Sequence, residues 1–372
     1  MRVTFVTSKI NLESAGGSVP DLDLKVRDMQ ALGEDVQVVT VFSELNKLEN
    51  LPYTVIEESI SSPKTLHKIH WKILQILRKH QQSTDVFHIE GQFAYGGALY
   101  RILGGKPVVA FYNRESLAWN ASTFRARIRQ YIERFLNKFL APHIDHFIFT
   151  TPQLAARYRA FGIRIPSSNH SVMPDFVDNT LLQKLPHEKK DNVVRIFASG
   201  RMIQDKGFNL LVDALALLPK QQREMIAVTL SGDGPEREAL QEQARARGIG
   251  NTVHFPGWVS KHEMHATLAN CDIFIYPRFH KELSSVLLLE ALAVHRPVVV
   301  PEGGGLEWLA GEATLTFKDN DAVSLAKAIE KLVESPNMRE TLSHAAAKRI
   351  SEFDHRTLAV RLRKILQTAA EI

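Results

Sequence analysis

The stretch Val193–Leu218, VVRIFASGRMIQDKGFNLLVDALALL, decides the fold. A β-branched apolar run ends at Gly200. A polar turn carrying Arg201 and Lys206 follows, and beyond Gly207 the apolar spacing becomes helical. Strand, glycine turn and amphipathic helix in that order form the repeating unit of a parallel α/β sheet. The same grammar precedes it in RVTFVTS, DVQVVTVF, DVFHIE, PVVAFYN and HIDHFIFTT, with helical spacing over Asp21–Leu32 and Pro63–Gln82. It continues afterwards in MIAVTLSG, TVHFPG, CDIFIYP and RPVVVP. Unbroken β-branched runs fit strands buried on both faces. The expectation is two open, doubly wound sheets with right-handed crossovers, whose ligands collect at the carboxyl ends of the strands.

At 372 residues the chain exceeds one typical core, and 44% hydrophobic and 23% charged residues are ordinary for globular domains. The polar stretch KLPHEKKDN, Lys184–Asn192, is the linker candidate. The expected domains are therefore residues 1–183 and 184–354. A basic amphipathic terminal helix, Asp354–Ala370, is left over, and residues 355–372 could pack back on the first domain. The net charge of +5 suits a phosphorylated ligand or an anionic surface. No nucleic-acid module is recognisable, so nucleic acid is not an expected partner. The single cysteine, Cys271, excludes an intramolecular disulfide and agrees with a reducing, cytoplasmic compartment. MRVTFVTS opens as a strand rather than as an export signal, and no apolar run approaches membrane-spanning length.

Four glycine loops fall at expected strand ends. Gly16–Gly17 follow the first strand, Gly200 and Gly207 flank Arg201 and Lys206, SGDGPE covers Ser231–Glu236, and PEGGGLEWL holds Gly303, Gly304 and Gly305. A strand end feeding a helix N-terminus is an anion site, and two cations there would suit a diphosphate. Solvated loop charges and ordinary turns would give the same residues singly. KELSSVLLLEALAVHRPVV, Lys281–Val299, adds Glu282 before a helix and Glu290 within it, with Ser284 and Ser285 as N-cap candidates. Eight helical residues span about 12 Å, a separation that would let one carboxylate meet a sugar and the other a ribose. An unpaired carboxylate within VLLLEALA would be costly, which favours a ligand-binding role for Glu290.

In this order the motifs SGRMIQDKG, LSGDGPE, VHFPGWVSKHEMHATLANCDIFIYP, the two glutamates and GGGLE make the chain resemble the family four retaining glycosyltransferases of GT-B fold. That resemblance implies two Rossmann-like doubly wound α/β domains facing a central cleft. It also implies a nucleoside-diphosphate-sugar donor, UDP or GDP, and a glycan or lipid-linked acceptor of the kind used in cell-surface glycan synthesis, with no cofactor or metal. Arg201 and Lys206 would bind the donor diphosphate and Glu282 the transferred sugar. Glu290 would bind ribose, Gly16 and Gly17 would lie near the donor phosphate, and Gly304 and Gly305 would line the donor site. His88, Asn113 and Glu115 are acceptor-side or cleft candidates, although a satisfied core or strand-end role fits them as well.

The chain departs from the family pattern in several places. ELSS stands where Glu-Gly-Phe-Gly is common, Tyr112 where many members have histidine, and His295 where glycine is usual. VMPDFVDNTLL, Val172–Leu182, resembles the passage into the second domain, with Asp175 and Phe176 at positions usually Asn and Gly.

Two basic amphipathic segments bear on location. KTLHKIHWKILQILRKH carries Leu66, Ile69, Ile73, Leu74 and Leu77 on one stripe, and FRARIRQYIERFLNKFLAP combines Arg125, Arg127, Arg129, Arg134 and Lys138 with an apolar face. Either could lie on the anionic inner face of the cytoplasmic membrane. The competing expectation for each is an apolar face packed on the sheet with its basic face in water. For activity, the rivals are a GT-B epimerase or inverting transferase, and a non-catalytic nucleotide-sugar-binding protein.

Overall fold

The computed structural model describes residues 1–11, 18–48, 51–59, 66–113, 124–185, 191–277 and 283–371. Two compact units divide the chain: Met1–Phe176 with His355–Ile372, and Val177–Asp354.

The first unit begins with β1 (Arg2–Thr7), α1 (Ser18–Ala31), β2 (Asp35–Thr40), β3 (Thr54–Glu57) and α2 (Leu66–His80). β4 (Val86–Glu90), α3 (Ala94–Ile102), β5 (Val108–Tyr112) and α4 (Phe124–Leu140) come next, then β6 (His146–Phe149), α5 (Pro152–Ala160) and β7 (His170–Val172). Among the described residues the strands form one parallel sheet ordered β3-β2-β1-β4-β5-β6-β7. The order reverses direction between β1 and β4, the place where open α/β sheets part their loops.

The second unit runs α6 (Asn179–Gln183), β8 (Val194–Ser199), α7 (Phe208–Ala216), α8 (Lys220–Glu224), β9 (Ile226–Ser231) and α9 (Arg237–Ala246). β10 (Val253–Gly257), α10 (Lys261–Asn270), β11 (Ile273–Ile275), α11 (Val286–Ala293) and β12 (Val298–Pro301) follow. α12 (Gly305–Ala310), β13 (Thr314–Phe317), α13 (Ala322–Glu334) and α14 (Pro336–Ser351) complete it. Its described strands are also parallel, ordered β10-β9-β8-β11-β12-β13, and the direction reverses between β8 and β11. Ile196, Ala198, Val228, Leu230 and Ile275 from the sheet meet Leu211, Leu215, Leu325 and Ile329 from α7 and α13 in one core. The fold is thus the expected α/β class, two Rossmann-like domains.

The second unit starts at Val177, ahead of the expected boundary at Lys184. The reason is local packing: α6 lies against α11, and Asn179 Nδ2 donates to the Ile350 carbonyl at 3.4 Å. Within Lys184–Asn192, residues 186–190 lie outside those described. The terminal helix α15 (His355–Ala370) belongs to the first unit. It packs on α1, with His355 Nδ1 2.7 Å from Asp28 Oδ2 and Arg363 paired to Glu34. Among the described residues no helix is long and apolar enough to cross a membrane.

α1 buries a charge pair that its sequence does not advertise. Val19, Leu22, Val26 and Met29 form its inward stripe, and Asp21 and Lys25 are buried beside them. Lys25, 1% exposed, places Nζ 2.6 Å from Asp21 Oδ2 and 3.4 Å from the centre of the Phe111 ring. The other Asp21 oxygen accepts the Phe176 N–H at 2.6 Å. Burial pushes the Asp21 carboxyl upward, and the Lys25 ammonium opposes that shift. Removing one partner of such a pair strands the other charge. Asp21→Ala should therefore cost the first unit about 3–5 kcal/mol in urea unfolding. The double variant Asp21→Leu/Lys25→Met should recover most of that, short of about 1–3 kcal/mol for the unpaired Phe176 N–H. Equal losses for both variants would show that the pair is not what is being measured.

Candidate active site

In the second unit the loops at the carboxyl ends of β8, β9, β11 and β12 gather beside the reversal point. Gly200 N donates to Ser231 O at 3.1 Å, Met202 N to Asp233 O at 2.8 Å, and Glu236 N to Met202 O at 3.1 Å. These bonds join the β8 and β9 loops backbone to backbone. A Cβ on Gly232 would sit 1.9 Å from Gly200 O, and one on Gly234 would sit 2.3 Å from Met202 O. Both positions require glycine for closeness, not merely for a turn.

The β8 loop carries the two expected cations. Exposed Arg201 follows Gly200, and a short turn over Gln204–Lys206 leads to Gly207, whose φ of 69° is left-handed and opens α7. Lys206 is partly buried, with Nζ 5.7 Å from the ring centre of Tyr276, the residue just beyond β11. Lys206 therefore stands across the reversal between β8 and β11, at the edge where an anion would meet both loops.

Ser285, with extended φ and ψ of −153° and 119°, caps α11 by accepting Leu288 N–H on its side-chain oxygen at 3.3 Å. The β12 loop presses on the residues just before it: a Cβ on Gly305 would lie 2.0 Å from Leu283 O. Gly304 is the buried N-cap of α12, and the preceding Gly303 donates its N–H to the Glu307 carboxylate. Gly304 and Gly305 are thereby held beside the start of α11. Glu282, the adjoining carboxylate, lies outside the described residues, as do Gly16, Gly17 and Glu115.

Glu290 is 6% exposed in the second turn of α11, and it is not unpaired. His265 Nε2 from α10 lies 3.0 Å from Glu290 Oε1. Sequence reasoning missed His265, because it is one of several polar residues in a helix with little apolar bias. Its helix is set by a capping box, with Ser260 Oγ accepting Glu263 N–H while Ser260 N donates to the Glu263 carboxylate. The pairing answers the cost expected of a carboxylate in VLLLEALA, and it leaves the second carboxylate oxygen for other donors.

In the first unit the candidates separate. His88 lies within β4, 4% exposed, its ring centre 4.7 Å from Phe5 and 5.6 Å from Phe111. Its buried Nε2 has no hydrogen-bond partner. Tyr112 turns inward too, 5.1 Å from Phe149 and 4.6 Å from Tyr158 between ring centres. A Cβ on Gly91 would come 2.3 Å from the Tyr112 ring. The ring therefore fills core where a polar histidine was the family expectation. Asn113, partly buried at the end of β5, is left as the described candidate of its segment. Nearby, Glu90 accepts from Thr7 Oγ1 and from Ser8 N at 3.1 Å, and takes Gln92 Nε2 on its other oxygen. That polar cluster sits at the β1/β4 reversal.

Against this geometry the sequence comparisons fall into place. Residues 23–181 match the family model described as Glycosyltransferase Family 4, and residues 178–349 match Glycosyl transferases group 1. The chain is of the glycosyltransferase family 4/group 1 type. The lipopolysaccharide core biosynthesis glycosyltransferase LpsE of Rhizobium meliloti is 33% identical over 219 residues, 58% of this chain and 59% of that protein. The chain thus spans under two thirds of that relative. Sucrose-phosphate synthase from Thermosynechococcus elongatus superposes with a TM-score of 0.79 at 19% identity, covering 99% of this chain and 98% of its own. Anabaena HepE, solved in complex with UDP, superposes with a TM-score of 0.77 at 18% identity, covering 99% and 100%. At those identities the likeness establishes the fold, which is GT-B.

The first unit concentrates histidines kept neutral. Burial, then the Lys25 charge, lowers His88 to about 3. Burial lowers His70 to about 4, and burial followed by His170 and Arg361 lowers His146 to about 4. An unfolded histidine titrates near pH 6.5, so below that pH the unfolded chain binds protons the native unit refuses. Stability is then full above about pH 6.5 and falls as the pH drops toward 4. His88→Phe should flatten the acid limb of urea midpoints by up to about 1.4 kcal/mol per pH unit. An unchanged slope would mean His88 is not held neutral.

Proposed function

We propose that the protein is a retaining, metal-independent glycosyltransferase that moves a sugar from a nucleoside-diphosphate sugar to a hydroxyl of a glycan or lipid-linked acceptor. The observation that carries this reading is the placement of Arg201 and Lys206 on the β8 loop, with Lys206 over Tyr276 at the β8/β11 reversal. Negative charge develops on a departing diphosphate, and fixed cations at that point favour it more in the transition state than in the ground state. Arg201 offers a planar fork for two phosphate oxygens, whereas Lys206 offers a point charge.

The remaining roles follow the chemistry of the side chains. Glu290, oriented by His265, would accept the ribose hydroxyls on its second oxygen. Glu282 would hold hydroxyls of the transferred sugar. Gly304 and Gly305 would admit the donor close to their backbone, Gly16 and Gly17 are the candidates for the donor phosphate, and Asn113 and Glu115 are the acceptor-side candidates. The acceptor hydroxyl would attack the anomeric carbon on the face the diphosphate leaves, the carbon–oxygen bond to phosphate breaking as the new one forms. A phosphate oxygen would take the proton, so no protein base is assigned. The relation to LpsE and the crystal complex of HepE with UDP make UDP-sugars the first donors to test and cell-surface glycan synthesis the expected setting, with GDP-sugars next.

The decisive assay combines UDP- and GDP-sugars with saccharide acceptors and reads the product anomer by NMR. Retention is expected, an inverted product would overturn the retaining assignment, and donor binding without turnover across acceptors would favour the binding-protein alternative. Lys206→Ala should lower kcat about 10²-fold or more, with circular dichroism unchanged. His265→Ala should chiefly raise the donor KM, because it acts through the orientation of Glu290. Wild-type turnover in Lys206→Ala would remove the cationic site from the mechanism.

A further inference from the structure

The two basic amphipathic helices have opposite fates. In α2 the apolar stripe is spent on the core: Ile73, Leu74, Ile76 and Leu77 are buried, and among its described large apolar side chains Trp71 is the exposed one. α4 does the reverse. Phe124 is 79% exposed, Tyr131 74% and Phe135 57%, and Ile128, Ile132 and Phe139 are exposed with them. At 3.6 residues per turn, positions 124, 128, 131, 132, 135 and 139 fall within an arc of about 100°. They form one continuous stripe about 22 Å long, with Phe135 and Phe139 rings 4.8 Å apart. Buried Leu140 and partly buried Leu136 lie on another face, which is where the helix meets its own domain.

Cations border the stripe. Arg127, Arg134 and Lys138 are exposed along one side, Arg134 lying 5.1 Å from the Phe161 ring centre. The side chains of Arg125 and Arg129 lie outside the described residues. Glu133 is the helix's single acid. A helix with its apolar stripe turned outward and exposed cations along its border matches a surface-lying membrane helix, not a packed one.

We infer that α4 is a docking helix for an anionic lipid surface, lying in the interfacial plane with its aromatic stripe buried about 5–10 Å and its cations at the headgroups. Charge complementarity selects this occupant. A second copy meeting stripe to stripe would bring the same cations against themselves, whereas anionic headgroups neutralise them. Tyr131 carries the polar hydroxyl that suits a lipid–water boundary, and Phe124, Phe135 and Phe139 supply the apolar area beside it. The surface stands apart from the proposed sugar transfer, so either can fail without the other. If both hold, docking would bring the enzyme to acceptors carried on lipid.

The test is co-sedimentation of the full chain with vesicles of phosphatidylglycerol and phosphatidylcholine, compared with phosphatidylcholine alone. Wild type should pellet with the anionic vesicles at low salt and be released as salt rises. Tyr131→Ser/Phe135→Ser/Phe139→Ser should abolish pelleting with an unchanged melting temperature. Arg127→Gln/Lys138→Gln should weaken partition about five-fold for each cation removed. Trp71→Ser, on α2, should leave binding intact. Wild type that stays in solution with anionic vesicles, or a triple variant that still pellets, overturns the proposal. A triple variant that instead converts a dimer to a monomer in light scattering, with no lipid binding by wild type, assigns the stripe to contact between copies.

Discussion

Backbone-to-backbone contact at three glycines is the constraint on which the second unit's loop cluster depends. The β8 and β9 loops interlock at Gly232 against Gly200 and at Gly234 against Met202, and the β12 loop meets Leu283 at Gly305. Any side chain at those positions would force main chain from main chain, since no flexible group could yield instead. With the loops locked, Arg201 and Lys206 are fixed on one turn and the start of α11 is fixed against another. Their mutual placement is then a property of the scaffold rather than of mobile side chains, as a pre-organised site requires.

The pattern of what could be read from sequence has a physical cause. Strands buried on both faces read as continuous apolar runs, and the central strands of both sheets were legible for that reason. The strands that escaped, β3, β7 and β13, all lie at sheet edges. Their residues TVIE, HSV and TLTF are largely half-exposed and carry no such run. Helix ends were legible through capping: Ser285 does cap α11, and the terminal helix begins within a residue of where its pattern starts. What stayed hidden was side-chain pairing across distance. Asp21 and Lys25 look like an ordinary surface pair one turn apart, and only their position over Phe111 makes them a core feature. His265 meets Glu290 from another helix, a contact that no local periodicity encodes.

The helices α2 and α4 sharpen the same point. Both have basic residues and an apolar stripe, and amphipathic logic gives both the same reading. Periodicity defines a stripe without saying what covers it. The structure spends one stripe on the core and leaves the other outside, so identical sequence grammar serves stability in one helix and a surface in the other.

Departures from the family pattern are best judged by the backbone each position adopts. His295 occupies a left-handed φ of 58°, where glycine would be relaxed, so this substitution carries strain. Ser285 is different. Its extended backbone needs no glycine, and its hydroxyl accepts the Leu288 N–H that a glycine would leave without a side-chain acceptor. The close approach that a glycine-rich entry to α11 would provide is supplied from the other side, by Gly305 against Leu283. A serine at the cap and a glycine across the contact divide two tasks, helix capping and backbone proximity, that a glycine pair would have combined. Polar hydroxyls at the mouth of α11 therefore accompany a tight loop contact instead of replacing it.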